Sequence, residues 1–425
     1  MRYGTKYLVL FGLISLILSS CSETYQLSTQ NLSQIYRSSE KQVKPEFMVF
    51  HSSETKSELH FKIMSNNLLY TRPTGEEEYR AKVKMTFILY KSFNSDMVSD
   101  SGSFVINDVN TQGGLKEIIG KIPLKASYPN SYILKVTTSD LNKKSVEDNF
   151  VVVDKTSRQG RQNYLMMDAD DSSEVFGYFT GTSKKLVIKY NDKMVKQLTI
   201  KIYKREFELS PPPFANHNPK RFDFTPDSTY YVNLDVNNSF LLEITDPALY
   251  HIQVDTTSKE GLTYIRFENH FPDIISATQM LQPLRFITTN KEFDRLLEEP
   301  IAKDAVDEYW ISVSASADRA RELIRNYYHR VEEANYYFST HMEGWKTDRG
   351  LIFIVFGQPD VIYKDTGGES WIYGNGKDEP TLTFNYTRTY NPFSNNDYRL
   401  IRSPEYKNYW YKSVDTWRQG RVYKY

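Results

Sequence analysis

Cysteine is almost absent: Cys21 is the only one among 425 residues, so no disulfide can form within the chain. Charge of one sign is missing too. The 53 basic and 53 acidic residues cancel, which leaves no field to steer nucleic acid or another polyanion, and no nucleic-acid partner is expected. Beyond the first twenty residues no apolar run approaches the roughly 20 residues that a membrane-spanning helix needs. Catalytic signatures are lacking as well. There is no Gly-x-Ser-x-Gly elbow and no His-Glu-x-x-His, and Gly374-Asn375-Gly376-Lys377 lacks the spacing and the Ser or Thr of a phosphate-binding loop. Histidines number seven. His329 lies one helical turn from Glu332 and His341 is near Glu343, but no thiolate is available to join them in a metal site. Neither a cofactor nor a metal is expected.

The N-terminus is where the sequence is most explicit. Arg2 and Lys6 precede an apolar run from Tyr7 to Leu18, and small residues lead to Cys21. This is the layout of a cleaved export signal. Leu18-Ser19-Ser20-Cys21 resembles the lipobox of bacterial lipoproteins. That resemblance implies a diacylglyceryl group on the Cys21 sulfur, cleavage before it and acylation of the new amino group. Two or more acyl chains make a durable anchor, and a cysteine committed to lipid excludes papain-like catalysis. Ser22 is not the aspartate that retains many lipoproteins in the inner membrane. An outer-membrane location is therefore expected, facing the periplasm or the cell surface.

The mature chain, residues 21–425, is long enough for two to four domains. Segment 21–44 is polar and lacks periodicity, which predicts a flexible tether. From 45 to 156, short alternating runs such as Glu58–Ile63, Tyr79–Tyr90, Tyr132–Val136 and Val146–Val153 are separated by turn residues. Region 157–271 repeats the theme, with strands expected at Asn163–Met167, Glu174–Phe179, Lys185–Tyr190, Gln197–Tyr203, Tyr230–Leu234, Ser239–Ile244, Leu249–Val254 and Thr263–Phe267. Pro129-Asn-Ser-Tyr132-Ile-Leu-Lys-Val136 lines up with Pro247-Ala-Leu-Tyr250-His-Ile-Gln-Val254. A turn proline with a tyrosine three residues on resembles a late strand of immunoglobulin-like domains. The fold class is thus mainly β, with two tandem immunoglobulin-like β-sandwiches ahead of an α+β domain at 272–425. Pro211-Pro212-Pro213-Phe214 opens a long insertion reaching about Pro226, stiffened toward polyproline II. It reads as an inter-strand loop or a docking point.

In the last third, short helices are expected at Asn290–Glu299 and Ala302–Ile311. Ser316 offers an N-cap to a longer helix. Ala320, Leu323, Tyr327, Val331, Ala334 and Phe338 recur at spacings of three and four, giving one buried stripe, while Arg319, Glu322, Asn326, Arg330 and Glu333 fall on a solvated face. Gly344 is expected to end that helix as a C-terminal cap. The unbroken apolar run Leu351–Phe356 predicts a buried strand, turned by Gly357-Gln358-Pro359-Asp360. Ser370–Tyr373 and Thr381–Tyr386 add strands.

Gly344-Trp345-Lys346-Thr347-Asp348-Arg349-Gly350, with Gly357, Pro359 and Asp360 behind it, resembles the signature of the GWxTD domain. Glu369-Ser370-Trp371-Ile372-Tyr373 is similar to the E-x-W-x-Y element of that family, and Trp417–Tyr423 to its closing segment. The resemblance covers Gln282–Tyr425 and implies an exported protein with β domains ahead of the motif. It implies no activity.

Three readings of the motif follow from the residues. In a structural one, Gly344 and Gly350 bracket a tight turn, Trp345 plugs it, Thr347 and Asp348 bond freed backbone N–H groups, and Arg349 pairs with Asp348 or Asp360. A binding one makes Asp348, Arg349, Asp360, Trp345 and Trp371, beside Tyr373, a polar–aromatic pocket for a sugar or peptide terminus. A catalytic one uses Asp348 and Asp360 as an acid–base pair. The expected function is non-enzymatic: a lipoprotein joined to a membrane through Cys21 that binds an envelope protein as an accessory subunit. The alternatives are a glycan-binding lipoprotein, consistent with 32 tyrosines and 24 phenylalanines, and a hydrolase of cell-wall or extracellular polymer.

Overall fold

The computed structural model describes residues 26–36, 43–72, 74–75, 77–110, 114–216, 220–314, 316–374 and 380–425. The signal segment, Cys21 and the Asn375-Gly376-Lys377 stretch lie outside them. Among the described residues, no helix is long and apolar enough to cross a membrane.

Seven strands form the first sandwich: β1 (Glu46–Phe50), β2 (Lys56–Met64), β3 (Arg80–Tyr90), β4 (Val98–Val109), β5 (Glu117–Lys125), β6 (Asn130–Asp140) and β7 (Ser145–Lys155). They split into sheets ordered β1-β2-β5 and β4-β3-β6-β7. Alternation sets the faces: on β3, Ala81, Val83, Met85, Phe87 and Leu89 are buried between the sheets while Lys82 and Lys84 face out.

The second sandwich comprises β8 (Tyr164–Asp168), β9 (Phe179–Thr180), β10 (Lys184–Tyr190), β11 (Gln197–Tyr203), β12 (Ser228–Asn233), β13 (Ser239–Ile244), β14 (Ala248–Gln253) and β15 (Leu262–Arg266). Its sheets run β13-β10-β8 and β12-β11-β14-β15-β9, with β9 parallel to β15. The strand expected at Glu174–Phe179 shrinks to β9 and one bridge at Glu174, because Gly177 adopts φ +86° and breaks the run. The internal repeat has a structural cause. In the first sandwich the Tyr132 hydroxyl accepts from the Ser127 N–H at 3.2 Å. In the second, the Tyr250 hydroxyl accepts from Asp246 N–H at 3.1 Å and donates to Asp246 O at 3.0 Å. Each tyrosine pins the corner leading into its strand, as the tyrosine corner of immunoglobulin-like sandwiches does.

The C-terminal unit contains α1 (Ala277–Leu281), α2 (Asn290–Glu298), α3 (Ala302–Val313), α4 (Ala317–Phe338), α5 (Asp348–Phe356), α6 (Tyr406–Arg418) and an antiparallel meander β16 (Val361–Lys364), β17 (Gly368–Tyr373), β18 (Leu382–Arg388), β19 (Tyr398–Leu400). Ser316 caps α4 by accepting from Arg319 N–H, and the whole predicted stripe from Ala320 to Phe338 is buried.

Four expectations fail here. Leu351–Phe356 is helical, the greater part of α5, and every residue of α5 is buried. A helix buried all round carries no amphipathic period, so its sequence matches that of a buried strand. Gly344 does not cap α4, which ends at Phe338; it begins a short 3-10 turn at Gly344–Lys346. Arg330 leaves the predicted solvated face to bond backbone carbonyls. The tether is not free along its length: Leu27, Leu32 and Tyr36 are buried. Apolar side chains from that polar stretch fill gaps on distant elements, which local composition does not reveal. The proline-rich insertion also docks inward. Ser210 N–H donates to Lys346 O (3.1 Å), Ser403 N–H to Pro213 O (3.2 Å), and Arg402 to Pro211 O (3.2 Å).

Candidate functional site

The motif builds the start of α5. Thr347 is its N-cap: the Oγ1 atom accepts from Gly350 N–H at 3.1 Å and donates to Gly344 O at 2.7 Å. The α4 helix holds the preceding turn. Asn335 Oδ1 accepts from Trp345 N–H (3.2 Å), and Ser339 Oγ accepts from Gly344 N–H (2.9 Å). Close approach explains the two glycines. A Cβ on Gly344 would lie 1.9 Å from Ala334 O, and one on Gly350 would lie 2.0 Å from Gly344 O. Trp345 is buried against Phe286.

Asp348 and Arg349 diverge from that turn. Asp348 Oδ2 accepts from Leu400 N–H at 2.8 Å and pairs with Arg402 at 3.2 Å. Arg349 does not pair with Asp348 or Asp360. Its Nη1 lies 3.1 Å from Glu369 Oε1, and both side chains are essentially inaccessible, at 1% and 0%. Four further contacts complete that carboxylate's surroundings: Lys364 Nζ at 2.7 Å, Trp371 Nε1 at 2.9 Å, and the Tyr36 hydroxyl at 3.0 and 3.2 Å from the two oxygens. Arg349 Nη2 also donates to Asn396 O at 2.7 Å.

A buried carboxylate with two cations and two neutral donors is strongly satisfied. Burial pushes the Glu369 carboxyl up, but Lys364 and Arg349 outweigh it and hold the group at about 2. Burial, then the Glu369 charge, pushes the Tyr36 phenol up to about 12. Burial opposes the Lys364 ammonium, and Glu369 more than restores it, raising it above the usual lysine range.

The far end of α5 is closed by side chains. Its carbonyls at Ile354, Val355 and Gly357 accept from Arg330 (3.1 Å), Trp417 Nε1 (3.1 Å) and the Tyr373 hydroxyl (2.8 Å). Arg330 Nη2 reaches Tyr423 O at 2.9 Å; burial lowers its guanidinium to about 10. Gly357 takes φ +86° against Arg330, and Pro359 is buried. Asp360 is exposed and accepts from Gly374 N–H at 2.8 Å.

The predicted pocket therefore does not form as a single cavity. Trp345, Asp348, Arg349 and Trp371 are interior, and Asp360 is apart from them at the surface. Gly357, Asp360 and Tyr373 instead help line a cleft of about 390 Å³, with Arg330 and Glu333 from α4 and Tyr425 from the C-terminal segment. Among the described residues, no group of three His, Cys, Asp or Glu is placed to hold a metal. Cys21 lies outside the described residues. Sequence reasoning missed Tyr36, Lys364, Arg402, Arg330 and Asn335. Of these only Arg330 was singled out from the sequence, and there as a residue of the solvated face of α4.

A family model described as the GWxTD domain matches residues 248–419, from β14 to just past α6. No curated protein matches the chain. Among solved structures, a transglutaminase from red sea bream aligns at 7% identity and a TM-score of 0.20, over 51% of this chain and 28% of its own. The chain thus spans under a third of that protein's length, and so low a score carries no argument.

Proposed function

Because this chain carries a GWxTD domain over residues 248–419, we propose that it is an outer-membrane lipoprotein, anchored through an acylated Cys21, that works by binding an envelope protein as a non-catalytic accessory subunit. The anchoring rests on the signal layout and on Leu18-Ser19-Ser20-Cys21. One observation carries the non-catalytic part: Asp348 and Arg349 are spent inside the fold, and Asp360 stands apart from them at the surface. Asp348 is held by Arg402 and Leu400 N–H, and Arg349 by Glu369. A general acid or base must reach a substrate proton, and Asp348 is enclosed by protein donors. Packing of the N-terminal segment and of the proline-rich insertion against the C-terminal unit supports a stiff body that presents surfaces.

A glycan ligand is the second reading. Trp371 is fully buried and offers no stacking face, so this reading passes to the cleft beside Tyr425, the lining tyrosine that is only partly buried.

The test is cross-linking in intact cells, followed by purification through a tag in the exposed Met194 loop and identification of what accompanies the protein. A stoichiometric envelope partner supports the accessory role. Recovery of the protein alone rejects it and leaves glycan binding to be measured on the purified protein.

A further inference from the structure

Where the N-terminal segment meets the body determines how close the body lies to its lipid. Leu27 and Leu32 are both 1% exposed, packed with Phe93 and Ile133 of the first sandwich. Ser28 N–H donates to Phe93 O (3.0 Å) and Leu32 N–H to Ile362 O on β16 (2.8 Å). Asn31 Oδ1 accepts from Ile362 N–H (3.1 Å). Each buried leucine opposes detachment by the apolar area it would return to water, and Tyr36 adds its bonds to Glu369. The segment is thus seated at the junction of the first sandwich and the C-terminal sheet.

Only five residues, 22–26, separate Cys21 from Leu27, and the six steps between them span at most about 20 Å when fully extended. We infer that the protein has almost no tether, and that the face around Leu27 is held against the surface of the lipid bilayer. This rests on the lipoprotein reading above. Its occupant is the phospholipid headgroup layer, because the chain's exit point dictates what that face meets. Gln26 and Ser28 themselves line a polar groove of about 610 Å³. Its other walls include Asn94, from the turn after β3, Tyr363, Asp365 and Gly367 of the β16–β17 hairpin, and Asn385 of β18. Those two turns are the parts of the molecule nearest the bilayer.

The chain is suited to the test. With its only cysteine acylated, an introduced one is the sole labelling site. Full-length protein carrying Asn94→Cys, Thr366→Cys or Val236→Cys is labelled with a donor fluorophore in vesicles whose headgroups bear an acceptor. Val236 is fully exposed on the second sandwich, which contributes no residue to the groove. Transfer from positions 94 and 366 should exceed that from 236 at least twofold. A twenty-residue Gly-Ser insertion before Gln26 should reduce it at least twofold. Equal transfer from the three positions, or transfer that the insertion leaves unchanged, overturns the inference. Mass measurement of the Cys21 peptide separates the two failures. Acylated Cys21 with equal transfer rejects this orientation alone, and unacylated Cys21 rejects the lipoprotein reading and the orientation with it.

Discussion

The Tyr36 hydroxyl sits 3.0 Å from the Glu369 carboxylate, a contact that spans 333 residues of sequence. It joins a segment that reads as loose linker to the E-x-W-x-Y element on β17. Glu369 is where the two halves of the motif meet, with Arg349 from one side and Trp371 from the other.

Tyr36→Phe removes one donor and keeps the ring. A hydrogen bond to a charged group contributes about 1.5–3 kcal/mol. Amide exchange at Leu32 should accelerate at least tenfold while exchange in the two sandwiches is unchanged. Unaltered exchange would show the segment to be held by its leucines alone.

Glu369→Gln leaves the Arg349 and Lys364 charges buried without an anion, which costs about 3–5 kcal/mol. All five tryptophans of the chain, at 310, 345, 371, 410 and 417, lie in the C-terminal unit and are buried. Their fluorescence therefore reports that unit alone. The Glu369→Gln midpoint should fall sharply in denaturant, whereas Asp360→Asn, at the surface, should shift it by less than about 0.5 kcal/mol.

Acid should act differently on the three units. Burial lowers the His51 imidazole to about 4 and that of His251 to about 3. Each is neutral when folded, and the unfolded chain takes up a proton first. Stability is full above about 6.5 and declines as pH falls toward those values. Glu369, held at about 2 against an ordinary 4.5, has the depressed carboxylate's sign: its contribution is complete above 4.5 and is lost as pH falls toward 2. Calorimetry at stepped pH should show the second sandwich weakening below 6.5, while in the first the Glu147 carboxyl, pushed up to about 7 by burial and then by the Asp148 charge, takes its proton first in the folded state and offsets the His51 loss. Burial also lowers the His341 imidazole of the C-terminal unit, so the Glu369 contribution is read as the further decline of the tryptophan-reported transition below 4.5. His51→Gln should leave the first sandwich gaining stability as pH falls from about 7 to 4.5.

Gly344→Ala and Gly350→Ala place a methyl group about 2 Å from fixed backbone oxygens. Both should destabilise the C-terminal unit by more than about 3 kcal/mol, beyond ordinary overpacking. Gly114→Ala, with open space around it, is the control. Far-ultraviolet dichroism with tryptophan emission distinguishes local from global loss.

Much of the fold was legible. The strands of both sandwiches alternate, and their half-buried faces leave a period of two in the sequence, as on β3. The buried stripe of α4 and its Ser316 cap were equally plain. Leu351–Phe356 was misread because burial on every side erases the period that separates helix from strand. The candidate site was visible as a motif but not as an arrangement: Asp348 and Arg349 are adjacent in sequence and take partners 54 and 20 residues away.

By itself, the sequence determined what depends on near neighbours: the alternation of the strands, the cap and stripe of α4, the tyrosine corners, and the tight turn bracketed by Gly344 and Gly350. Tertiary structure alone decided which charges meet. Glu369, Lys364, Arg349 and Tyr36 come from four separate segments, and nothing local distinguishes a lysine or tyrosine that will be buried from one that stays in water. Desolvation makes an unpaired charge costly only after the fold has closed around it, so the pairing is a property of the packed unit rather than of any stretch of chain.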